Sequence, residues 1–150
     1  MKPIKLLITP IVFFCMIITA CSAELPKYDL KQAIANGDVA DVHEQTTNLS
    51  KLDDFINKVH NIEKDKVTVT IYTNEGDPII QTLNYTGKTI EYNVDTRRDK
   101  FSGESDRVIK KYEFTNIAKE SNNNMTVYFL SNNDKTSRMD VLTVSTASKN

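Results

Sequence analysis

Four carboxylates, Glu75, Asp77, Asp95 and Asp99, fall at two places where the chain must turn. Brought to one end of a fold, they can supply part of the about 6–8 oxygens that a calcium ion takes. Alternatively, one of them with a raised pKa can move a proton. The plainer reading is that Asp77-Pro78 and Asp95 form turns, with Arg97 and Arg98 neutralising the carboxylates near them. Arg97, Arg98 and Asp99 beside Phe101 make a second set. Two guanidiniums and an aromatic ring can hold a carboxylate, a phosphate or a partner protein, or they can simply form a solvated charged loop. The tyrosines Tyr72, Tyr85, Tyr92, Tyr112 and Tyr128 are a third set, suited either to a binding face on a half-exposed sheet or to cross-strand pairs at the edge of a core.

Other chemistries lack their residues. The only histidines, His43 and His60, stand 17 residues apart with no HExxH or related frame, so no zinc site is expected. There is no GxGxxG, no phosphate-binding loop and no GxSxG, and no cofactor is expected. The two cysteines are Cys15 and Cys21, both within the first 21 residues of 150. Thiol catalysis and cysteine metal sites are thereby excluded from the remainder of the chain.

The candidate residues need elements to hold them. Asp29 can cap a short helix in which Leu30, Ala33 and Ile34 share a face, and Asn36-Gly37 offers a left-handed stop. Residues 38–47 are polar and ambiguous. Asn48 or Ser50 can cap a second helix whose Leu49, Leu52, Phe55, Ile56 and Val59 recur at three- and four-residue steps, a core-facing stripe. From Lys66 the period changes to two. Val67, Val69 and Ile71 alternate with Thr68, Thr70 and Tyr72, and the turn 74–78 leads to a returning strand, Ile79 to Tyr85. Thr86-Gly87 makes a hairpin into Thr89 to Asp95. Residues 97–106 form a charged loop. Val108 to Thr115 and Met125 to Ser131 read as two more strands joined by a polar segment, and Val141 to Ser145 as an edge strand. Helices followed by hairpin-linked strands predict an α+β fold: an antiparallel sheet of five to six strands with one or two N-terminal helices packed on one face. In a meander, the turn at Asp77 and the strand end at Asp95 fall at the same end of the sheet.

The first twenty residues follow a different pattern. Lys2 and Lys5 precede a run from Leu6 to Ile18 that is almost wholly apolar and shorter than the about 20 residues a spanning helix needs. It ends in Ile18-Thr19-Ala20-Cys21, which resembles the lipobox of bacterial lipoproteins. The resemblance implies diacylglycerol on the Cys21 sulfur and cleavage between Ala20 and Cys21; two or more acyl chains would then hold the chain durably on a membrane. The expected organisation is a leader over residues 1–20, a lipidated cysteine and tether over 21–27, and one domain over 28–150. The whole chain carries a formal charge of −1, which becomes −3 once Lys2 and Lys5 leave with the leader. That mild acidity gives no reason to expect nucleic acid or an anionic membrane surface as a partner.

The stretch Tyr72-Thr73-Asn74-Glu75-Gly76-Asp77-Pro78-Ile79 resembles a family of small Gram-positive lipoproteins catalogued as a domain of unknown function, DUF4362. Asn36-Gly37-Asp38-Val39, Leu52 with Phe55, Leu83-x-Tyr85-x-Gly87 leading to Ile90 and Tyr92, then Asp95 and Asp99-x-Phe101, fit the same pattern in the same order. The resemblance implies a lipid-anchored extracytoplasmic α+β domain without an assigned activity. The expected function is therefore a cell-envelope protein, held at the outer face of the cell membrane through lipid on Cys21. It would bind an envelope protein or small ligand at Glu75, Asp77, Asp95, Arg97, Arg98 and Asp99. The rival expectation is an envelope hydrolase or a cation-binding protein using Glu75, Asp77, Asp95 and Asp99, which would require them to converge on a pocket.

Overall fold

The computed structural model describes residues 25–133 and 137–145. Cys21, Ala20 and the expected leader lie outside them. Asp29 accepts a hydrogen bond from the Gln32 backbone N–H while the Gln32 side chain accepts one from the Asp29 N–H, a reciprocal cap that starts α1 (Leu30–Asn36). Gly37, at φ 83°, ends it in the left-handed conformation that glycine takes at least cost. The ambiguous segment folds as two short strands, β1 (Val39–Val42) and β2 (Gln45–Thr47). Helix α2 (Ser50–His60) follows, with Leu49 at its cap position and no side-chain cap; Asn48 instead donates its side-chain amide to the Asp38 carbonyl at 2.9 Å.

Strands β3 (Asp65–Tyr72), β4 (Pro78–Tyr85), β5 (Ile90–Asp95) and β6 (Ile109–Phe114) form the expected antiparallel meander. A one-turn 3-10 helix, Glu104–Asp106, sits in the loop before β6. The sheet has six strands in the order β2-β1-β3-β4-β5-β6, and it is mixed: β1 pairs with β3 in parallel, Val39 opposite Val69. Three further strands, β7 (Asn116–Asn122), β8 (Met125–Ser131) and β9 (Arg138–Ser145), make a second antiparallel sheet.

Alternation along β3 sends Val67 and Val69 to one face and Thr70 and Tyr72 to the other. On the first face, α2 and the second sheet bury the main core. Leu52, Phe55, Ile56 and Val59 meet Val67, Val69, Leu83, Tyr92 and Phe114, together with Ile117, Tyr128 and Leu130. On the other face, α1 lays Ala33 over Ala40 and Tyr72, with Tyr28 and Val42 packed beside them. The two helices therefore cover opposite faces, so β1 is buried on both sides.

The two sheets are joined through a polar contact inside the core. The β8–β9 register shifts between Tyr128 and Phe129, which face Leu142 and Asp140, so Val141 is the extra residue of a bulge. Its carbonyl accepts from the Gln81 side-chain amide of β4 at 3.1 Å, and the Tyr92 hydroxyl donates to Gln81 Oε1. Gln81, 5% exposed, thus joins the central strand of one sheet to the irregular strand of the other.

Candidate functional site

The turn between β3 and β4 is closed by its own backbone. The Thr73 N–H donates to the Asp77 carbonyl at 2.9 Å, the Gly76 N–H to the Thr73 carbonyl at 2.9 Å, and Gly76 takes φ 88°. Asp77 Oδ2 is left pointing across the sheet end, where it accepts the Lys100 backbone N–H at 2.9 Å. This bond fastens the β5–β6 loop to the turn. Asp77 and the Asp95–Lys100 segment do share one end of the sheet, as the meander implies.

The acidic set is brought near but not together. Asp95 is held by both arginines: Arg97 donates through Nε at 2.9 Å and Nη2 at 2.8 Å, and Arg98 Nη1 lies at 3.4 Å. Asp99 accepts the Phe101 and Ser102 backbone N–H groups, both at 3.1 Å, and so shapes its own loop. Glu75 is exposed at the turn tip. Among the described residues no three His, Cys, Asp or Glu side chains are grouped to hold a metal ion.

The hydrogen bonds from Arg97 hold the Asp95 carboxyl below the usual carboxylate range, against a smaller opposing effect of burial. A carboxylate whose pKa is lowered on folding stabilises the fold above its unfolded value, and that contribution is lost as pH falls through the folded value. Asp95→Asn should therefore flatten the acid limb of a stability-against-pH curve below the ordinary aspartate range, and above that range it should lower the curve without changing its slope. An identical acid limb in wild type and variant would mean that the pair contributes nothing.

Arg98 does more than neutralise Asp95. Its Nε donates to the Pro26 carbonyl at 3.2 Å, and its guanidinium lies 5.9 Å from the centre of the Tyr28 ring. Tyr28 in turn donates to Asp38 Oδ2 at 2.7 Å, accepts from the Asn36 side-chain amide at 3.0 Å, and offers its carbonyl to the Tyr72 hydroxyl at 3.3 Å. Thr70 donates to the same Asp38 oxygen at 2.7 Å. Burial raises the Tyr28 hydroxyl and pushes that of Tyr72 up to about 12, so both remain protonated donors at neutral pH. Leu25 to Lys27, read from the sequence as the end of a tether, lie along the fold here.

Between this segment, the end of β1, the β3–β4 turn and the β5–β6 loop lies a cleft of about 540 Å³. Its apolar wall comes from Leu25, Pro26, Leu30, Val42 and Pro78, and its charged wall holds Lys27, Arg97, Arg98, Lys100 and Arg107 against Asp29 and Asp77. His43, at the β1–β2 turn, also lines it. Of the residues proposed from the sequence, Asp77, Arg97 and Arg98 border the cleft; Asp95 holds two of those from behind. Lys27, Tyr28, Lys100 and Arg107 were not singled out in the sequence, although the last two sit in or beside the charged loop.

A profile of the family described as a domain of unknown function (DUF4362) matches residues 36–129, more than half of the chain. The chain belongs to this family. The DUF4362 span holds β1 to β7 and most of β8, and with them the charged loop and the Asp77 turn. The lip formed by Leu25 to Leu30 precedes it. Several residues that carry the resemblance gather on this side of the sheet: Asn36 and Asp38 in the Tyr28 network, Tyr72 above it, then Asp77, Asp95 and Asp99 around the loop. No curated protein and no solved structure matches the chain.

Proposed function

We propose that this chain is a lipid-anchored extracytoplasmic binding protein whose cleft takes a small anionic group, a carboxylate or a phosphate. The observation that carries the reading is the charge of the cleft. Five cationic side chains and two carboxylates line it, in a chain whose overall charge is −1. Such a concentration of one sign in a concave site attracts and holds the opposite sign. The binding reading is favoured over catalysis because Asp77, Asp95 and Asp99 are all engaged as acceptors that shape the loop. Anchoring is supported by the basic start, the apolar run and Ile18-Thr19-Ala20-Cys21.

Two measurements test it. Inorganic phosphate, pyrophosphate or citrate should raise the melting temperature of the mature chain, by about 2.7 kcal/mol of stabilisation when the anion reaches about 100 times its Kd. Arg107→Ala combined with Lys100→Ala should abolish that rise. Arg107 is exposed, so Arg107→Ala alone should leave the unliganded melt unchanged while weakening the rise. No rise with any of the three anions would overturn the cleft assignment. Separately, Cys21→Ala should release the protein from membranes washed at high salt; a variant that still sediments with membrane there would remove the anchor.

A further inference from the structure

We infer that the cleft faces the membrane to which the chain is anchored and docks on the phosphates of its anionic phospholipids. This rests on the anion-binding reading above and on Cys21 as the anchor, and it adds the source of the anion.

Chain length sets the geometry. Cys21 precedes Leu25 by four residues, and an extended chain spans at most about 3.5 Å per residue, so the Leu25 Cα stands within about 14 Å of the Cys21 Cα. Pro26 does not lengthen the tether, because Arg98 Nε holds its carbonyl at 3.2 Å and the next residue but one, Tyr28, is bound to Asp38 at 2.7 Å. The last fixed point before the lipid is therefore the lip of the cleft itself. So short a tether lets the lip come within one Debye length of the headgroups, about 8 Å at physiological salt, where its cations feel the surface charge.

The surface there is suited to that position. Lys27, Lys100 and Arg107 border the cleft, and Phe101, next to Lys100, leaves 74% of its surface exposed. An exposed aromatic ring beside cations is the pairing that an interfacial surface uses, the ring entering the headgroup boundary while the cations meet phosphate. The overall charge of the chain conceals this local asymmetry.

The test uses the lipidated protein carrying Phe101→Trp. The chain has no tryptophan of its own, so the emission reports this position alone. In vesicles of phosphatidylcholine with phosphatidylglycerol and brominated lipid, emission should shift to the blue and be quenched. In phosphatidylcholine with brominated lipid alone it should not. Lys100→Glu and Arg107→Glu should each shift the docked fraction by about fivefold or more, and raised salt should do the same. Equal quenching in both vesicle types would overturn the inference, since the contact would then owe nothing to anionic charge. Absent quenching in both, with inorganic phosphate still raising the melting temperature, would remove membrane docking and leave the anion cleft standing. Absence of both responses would remove the two together.

Discussion

Phe55→Ala should cost the fold about 3–5 kcal/mol, read as a lower urea midpoint at an unchanged slope. Phe55 is fully excluded from solvent, and Leu52, Ile56 and Val59 line the same face of α2. Opposite it stand Val67, Val69 and Leu83 of the main sheet, with Ile117 and Tyr128 of the second. The ring thus fills the place where the helix and both sheets meet, and three rigid elements leave little scope for collapse around the void. Domains of this size are stable by about 5–15 kcal/mol, so the variant would retain a much reduced margin. A midpoint unchanged from wild type would mean that α2 does not close the core.

Gln81→Leu should be nearly as damaging, although it replaces a polar side chain in a core with an apolar one of similar size. Two partners depend on Gln81: the Val141 carbonyl, which the β9 bulge leaves outside the ladder, and the Tyr92 hydroxyl. Burial already raises the Tyr92 hydroxyl far above its ordinary value, so it cannot ionise to relieve the loss. Each buried group left without a partner costs about 1–3 kcal/mol, giving an expected loss of about 2–6 kcal/mol. Pairing the change with Tyr92→Phe should recover part of that loss, because one orphaned group is removed. A double variant no more stable than the single one would show that the network is not coupled as drawn.

What could be read from the residues was local. The Asp29 cap, the Gly37 stop, the α2 stripe and the β3–β6 meander all follow from spacing within a dozen residues, and each stands in the fold. Strand β1 escaped because Val39, Ala40 and Asp41 are all buried, which leaves no alternation to recognise. Strand β7 escaped because only Ile117 among Asn116–Asn122 is buried, so its composition is that of a loop. Gln81 carried no mark of its place, since its role depends on a bulge 60 residues further along the chain. The cleft shows the same limit. Asp77, Arg97 and Arg98 were visible as a charged turn and loop, whereas the Pro26 lip reaches Arg98 across 72 residues.

The parallel pairing of β1 with β3 has a consequence for how the molecule comes apart. Val39 and Val69 are thirty positions apart, with β2 and all of α2 between them, whereas β3 to β5 close through short hairpins. Contacts of long sequence separation are costly to form, and the apolar cluster that holds α1 against β1 is small. Slow amide exchange should therefore divide the molecule: α1 and β1 exchange by a partial opening, and β3 to β5 only by global unfolding. An anion or a headgroup in the cleft, which Leu30 of α1 and Val42 of β1 help to line, would close that opening, so occupancy could be followed as exchange protection along both elements.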